Sequence, residues 1–93
     1  MAKGTMVNGV VVTYEEGIPH LDLRGLEPPQ PAVTVLTFLD RPEAGDEVIV
    51  RLPRDPVFLY PELVARGWGW EPLPAEAGDV RLRLVRKPGG DRR

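Results

Sequence analysis

The segment Leu21-Asp22-Leu23-Arg24-Gly25-Leu26-Glu27-Pro28-Pro29-Gln30-Pro31 leaves this chain few ways to fold. Pro28, Pro29 and Pro31 fix their own φ and remove backbone donors, which a helix tolerates only in its first turn, where those donors have no partner. Ahead of them, Leu21 and Leu23 alternate with Asp22 and Arg24, the period-two pattern of a half-buried strand. Gly25 lies between the two patterns. The spacing predicts a strand over 21–24, a tight glycine corner, and a helix begun by proline in immediate succession. Any chemistry is expected at this corner, because a helix start offers unpaired amides and a positive dipole end.

From Pro29 onward Ala32, Val35, Leu36 and Leu39 recur at helical spacing and predict an apolar stripe. Asp40-Arg41-Pro42 ends that helix, since Pro42 biases Arg41 away from helical geometry. Glu47 to Leu52 alternates as a second half-buried strand. Asp55-Pro56 reads as an N-cap and first-turn proline, opening a helix with Phe58, Leu59, Leu63 and Val64 inward, Gly67 as its stop, and a kink expected at Pro61. Trp68–Leu73 and Val80–Lys87 read as a strand pair joined by Pro74-Ala75-Glu76-Ala77-Gly78. Upstream, Val10-Val11-Val12 suits a strand, Asn8-Gly9 a tight turn, and Glu15-Glu16-Gly17 a break. The division is an N-terminal arm or extra strand over 1–17, one domain over 18–87, and a flexible Gly-rich tail over 88–93.

The expected fold class is α/β, an α+β two-layer sandwich of order βαβαββ on a mixed four-stranded sheet, with a further N-terminal strand. Right-handed crossovers put both helices on one face and leave the other open. Leu23, Val35, Leu36, Leu39, Val50, Leu63 and Leu82 are expected to form the core, with Val10–Val12 dispensable to it. At 93 residues the core is modest, near the size where a single core is marginal but suffices.

The absence of cysteine rules out a disulfide staple and a thiolate metal site. A formal net charge of -2 weighs against a dedicated binder of duplex nucleic acid. No apolar run reaches the length of roughly 20 residues that spans a bilayer, and no secretory signal pattern opens the chain, so the expected compartment is the cytoplasm. Frequent proline, abundant arginine and only two side-chain amides, Asn8 and Gln30, fit a heat-adapted source.

The corner resembles that of the TusA/SirA-like family, small sulfur-relay proteins whose strand ends in Leu-Asp-x-Arg-Gly-Leu and whose helix opens with Cys-Pro-x-Pro. Pro28 stands where that cysteine would be, and without a thiolate there is no nucleophile for sulfur relay. A closer resemblance, over Leu21 to Lys87, is to the TusA-related domain of unknown function 2249, which reads Leu-Asp-x-Arg-Gly-Leu-x-Pro-Pro at this corner. Its His-Asp-Pro-x-Pro-Leu motif is matched at Asp55, Pro56 and Leu59, with Arg54 for the histidine and Phe58 for the second proline. Trp70-Glu71 and Val80-x-Leu82-x-Leu84 resemble its last two strands. The resemblance implies a sheet of spatial order one-two-four-three with the last strand antiparallel. It also implies a partner module, often encoded beside or fused to hemerythrin-like or nitrogen-oxide-respiration proteins, with no established reaction.

Three readings of function follow. The first is a non-catalytic protein-interaction module whose docking residues are Arg24, Gly25, Leu26, Pro28, Pro29, Pro31 and Asp55. Arg24 there either binds an anion or a partner carboxylate, or pairs with Asp22 or Asp55 and fixes the corner. The second is a nucleic-acid binder using Arg51, Arg81, Arg83 and Lys87 on the open face, opposed by Asp22, Glu47 and Glu71. Trp68 and Trp70 share one face and are either core or, beside those arginines, a stacking platform, with a divided outcome expected. The third is a sulfur-relay enzyme or carrier, disfavoured because no paired carboxylate motif, serine or phosphate loop is present. His20 has no partner at metal-ligand spacing and reads as an exposed loop residue. No catalytic, cofactor-binding or metal residue is assigned, no cofactor is expected, and the partner expected is a protein, with nucleic acid disfavoured and no membrane.

Overall fold

A computed structural model describes residues 5–87 of the chain. Strands β1 (Thr5–Val7) and β2 (Val10–Glu15) form a hairpin, and β2 turns directly into β3 (Ile18–Asp22). Asn8 and Gly9 close the first turn with φ of 50° and 80°, and Glu16 and Gly17 the second with 55° and 81°. Two successive positive φ values give the turn whose twist matches a two-residue hairpin. Glycine at the second position meets no steric penalty there.

Beyond β3 the chain makes α1 (Gln30–Leu39), a 3-10 turn (Pro42–Ala44), β4 (Glu47–Leu52), α2 (Leu59–Ala65), β5 (Trp68–Leu73) and β6 (Val80–Arg86). These strands lie in one six-stranded sheet of order β1-β2-β3-β4-β6-β5. β3 pairs parallel to β4 with Leu21 opposite Val50, and β6 runs antiparallel to both β4 and β5. The segment from β3 onward thus has the predicted order, with its last strand antiparallel. Val48, Val50, Leu52, Leu82, Leu84 and Trp68 from one sheet face join Val35, Phe38, Leu39, Leu59 and Leu63 from the two helices in a single core. Both helices therefore cover the same face. On the other face Glu47, Arg51, Arg81 and Arg83 remain partly accessible, and the fold is the expected α+β two-layer sandwich.

Four details differ from expectation. The N-terminal segment supplies two strands, and Val7 and Val12 belong to the core, because the Asn8-Gly9 turn folds β1 back beside β2 and presents both valines to the helix side. It is integral, and the expectation of dispensability is corrected. The buried residues of α1 are Pro31, Thr34, Val35, Phe38 and Leu39, so the stripe is rotated and Leu36 lies half-buried at its border. In α2 only Leu59 and Leu63 are buried, whereas Phe58 and Val64 are 86% and 64% exposed. The cause is the late helix start: Leu59 opens α2, which places Pro61 within its first turn, where its missing donor has no partner to lose, and no kink is needed. Asp55 makes no cap to this helix. Finally, His20 sits in β3, not in a loop, because the Glu16-Gly17 turn starts that strand at Ile18. The tail expected over 88–93 lies outside the described residues.

Phe38 has no exposed surface whereas Leu36 is half-buried. Phe38→Ala should lower stability by about 3–5 kcal/mol, as other buried phenylalanine truncations do. Leu36→Ala should fall well below that range in the same urea titration. Equal losses would mean that α1 buries a different face. Removing residues 1–17 should lower the melting temperature and broaden the transition, because it strips Val7 and Val12 from the core.

Candidate functional site

The corner after β3 is held at its base by a backbone bond from Leu23 N–H to the Arg51 carbonyl at 2.8 Å, and closed by one from Leu26 N–H to the Leu23 carbonyl at 3.2 Å. Leu21 and Leu23 are buried beneath it. The backbone then passes a cis Pro28–Pro29 bond into α1. Pro31 falls at the helix start, where its ring packs into the core side without breaking a helical bond.

This geometry divides the seven predicted docking residues between two surfaces. Arg24, Gly25 and Leu26 border a shallow depression shared with Gly9 and Asp79. Arg24 forms a fork with Asp22, Nε to Oδ1 at 2.8 Å and Nη2 to Oδ2 at 2.7 Å, and its Nη1 reaches Asp79 Oδ2 at 3.3 Å. The predicted pairing with Asp22 is present; Asp55 is not a partner of Arg24. The hydrogen bonds from Arg24 hold the Asp22 carboxyl below the usual carboxylate range and raise the Arg24 guanidinium in turn. Leu26 is half-buried and packs on the core.

Pro28, Pro29, Pro31 and Asp55 lie on the second surface, an apolar groove of about 480 Å³ between the start of α1 and the 53–59 segment. Leu52 and Leu59 form its floor and Phe58 stands at its rim. Asp55 shapes the outer wall: the Tyr60 hydroxyl donates to its Oδ1 at 2.6 Å, and the Tyr60 ring stacks on Trp70 with centroids 4.6 Å apart. Asp55 thereby ties the 53–58 segment to α2 and to the outermost strand β5. Tyr60 and Asp79 had no signal in the sequence. Phe58 had one, since Pro61 fits best in a first turn and leaves Phe58 ahead of the helix.

The tryptophans divide as expected. Trp68 is 1% exposed, with the Arg86 guanidinium 4.6 Å from its ring, and Trp70 is 37% exposed. Both lie on the helix side, Trp70 through its stack on Tyr60, so neither joins the open-face arginines. On that open face Arg83 is bound by Glu47 and Glu71, and these carboxylates raise its pKa. His20 lies 3.8 Å from Glu15. Among the described residues no group of three His, Cys, Asp or Glu side chains could hold a metal ion, and no helix is long and apolar enough to cross a membrane.

Residues 20–86 match the model of a family described as an uncharacterized conserved protein, DUF2249, and the chain belongs to that family. The match begins within β3, so the β1–β2 hairpin precedes it. Neither a curated protein nor a solved structure matches the chain.

Burial, and then the hydrogen bond to Asp55, push the Tyr60 phenol up to about 12. A pKa raised on folding gives stability that is complete below the unfolded value of about 10 and is lost as pH rises through the folded one. Stability should therefore fall between about pH 10 and 12 in wild type and less steeply in Tyr60→Phe, read by chemical denaturation across that range. Identical slopes would mean that Tyr60 titrates as an ordinary phenol.

Proposed function

We propose that this chain is a non-catalytic protein-interaction module of TusA-like shape, acting in the cytoplasm as an accessory to redox or nitrogen-oxide respiration. The observation that carries the reading is the groove: an apolar channel of about 480 Å³ at the very corner where the TusA-like family places its cysteine, with Phe58 86% exposed at its rim. Val57 and Phe58, 56% and 86% exposed, adjoin the apolar lining of the groove, and contiguous exposed apolar surface marks interaction sites. Apolar anchors in such a groove supply the central contacts of a protein interface. Arg54, exposed and lining the same groove as Phe58, suits a partner whose apolar anchor is flanked by a carboxylate. A proline at position 28 keeps the wall of the groove and removes the sulfur nucleophile.

The nucleic-acid reading is the weaker. Stacking single-stranded bases requires exposed aromatic rings beside cationic side chains, and here the tryptophans lie on the face opposite Arg51, Arg81 and Arg83, while Arg86 covers the buried Trp68. Glu47 and Glu71 also neutralise the middle of the arginine row.

Phe58→Asp should leave stability within about 0.5 kcal/mol, as exposed substitutions do. Affinity capture from the native host should recover a protein with the wild type that Phe58→Asp fails to retain and Arg83→Gln retains. Identical recoveries from all three would overturn the groove as the docking surface. Incubation with a cysteine desulfurase and cysteine should leave the mass of the protein unchanged; a stable gain of one sulfur would restore the carrier reading.

A further inference from the structure

The open face carries a second concavity, separate from the groove. β4 and β6 set Arg51 directly opposite Arg81, a placement in which like charges repel. Among the described residues Arg24, Arg66, Arg83 and Arg86 each form an ion pair with a carboxylate; Arg51 and Arg81 form none. Arg81 makes only a long bond, 3.4 Å, to the Pro74 carbonyl. The Arg51 Nε finds no hydrogen-bond partner among the described residues, which leaves a charged donor to be met from outside.

Both arginines border a concavity of about 240 Å³ over β2, β3, β4 and β6, which Thr13 and His20 also line. Two carboxylates share it. Asp22 is already engaged by the Arg24 fork, and Glu15 stands at the rim with its side chain 70% exposed, facing His20. Asp22 also lies opposite Arg51 in the β3–β4 register and feels its charge, but among the described residues neither Arg51 nor Arg81 has a carboxylate in ion-pair contact, so two guanidiniums in the cavity keep free donors.

We propose that this cavity binds a small tetrahedral dianion of the phosphate type, either free phosphate or a phosphate monoester. Guanidiniums offer planar forks of donors that match phosphate oxygens two at a time. One dianion between Arg51 and Arg81 neutralises both and turns their repulsion into a clamp, while the Thr13 hydroxyl can donate to a third oxygen. The volume corresponds to roughly eight waters' share of liquid, more than the ion fills. The remainder accommodates a small group esterified to it. A phosphodiester carries a single charge and a chain in both directions, which on this face would run past Glu15, Glu47 and Glu71.

The test is a titration of the full chain with sodium phosphate, followed by amide chemical shifts at constant ionic strength, with sodium chloride as reference. Phosphate should give saturable shifts at Thr13, His20, Arg51 and Arg81 that chloride does not. Arg51→Gln and Arg81→Gln should each weaken binding at least tenfold, and Arg66→Gln, just past the end of α2, should leave it unchanged. Thermal melts give a second readout: phosphate should raise the melting temperature of wild type and not of Arg81→Gln, which also serves if Arg51→Gln fails to fold. Ribose 5-phosphate binding more tightly than phosphate would support a monoester, and equal binding the free ion. Shifts that chloride reproduces, or that persist in both arginine variants, would overturn the site. Micromolar displacement of phosphate by a ten-residue oligothymidylate would overturn it in favour of a nucleic acid.

Discussion

The bond from Leu23 N–H to the Arg51 carbonyl extends the parallel pairing of β3 with β4 one residue past the strand, and much of the molecule depends on where that pairing ends. It holds Leu23 under α1 with no exposure. The next three residues must then reverse direction over a sealed apolar base. Gly25 and the prolines make that reversal without leaving buried donors unmet, since proline has none to leave. Because the corner is fixed from below, what projects from it is set as well: Arg24 toward Asp22 and Asp79 on one side, the proline wall toward the groove on the other. A shift of one residue in this pairing would exchange the two faces of β3 and place Asp22 in the core.

That division gives the arginine of the corner a structural role. Arg24 joins the end of β3 to the loop before β6 through Asp79, bracing this end of the sheet. The apolar groove is built instead from the helix start and the 53–59 segment, whose outer part is pinned by Asp55 through Tyr60. Asp55 and the corner prolines, far apart in sequence, thus act on one surface. Leu26, which belongs with them in sequence, faces the core.

What the sequence made legible followed from periodicity and punctuation. The alternation of Val48, Val50 and Leu52 and of Val80, Leu82 and Leu84 gave the faces of β4 and β6, and the proline cluster gave the start of α1. The rotation of the α1 stripe was hidden because Thr34, a polar residue, is buried while Leu36 is not; composition alone ranks them the other way. Thr34 is tolerated there beside the hairpin, where the Asn8 amide donates to its hydroxyl at 3.4 Å, a contact 26 residues away that no local pattern contains. The hairpin is hidden from the sequence for a related reason. Three consecutive valines do not say which of them faces inward until β1 is paired, and pairing buries Val12 and exposes Val11.

Sequence logic and structure part most sharply at Phe58, a large aromatic left in water, and at Arg51 and Arg81, like charges placed side by side. The arginine pair lowers stability through like-charge repulsion, in a domain whose net stability is only several kcal/mol, and Phe58 buries too little to add to it. Neither is forced by the fold. A polar residue at position 58 would satisfy the same turn, and an acidic residue at position 81 would pair with Arg51 across the same register, as Glu71 does with Arg83 two residues along. Departures from local consistency that the scaffold does not require tend to mark surfaces completed by something else. Here they fall on opposite layers of the sandwich, Phe58 beside the helices and the arginine pair on the bare sheet, so one ligand cannot answer both. The proposed protein-binding groove and the proposed anion site therefore lie on opposite layers of the sandwich.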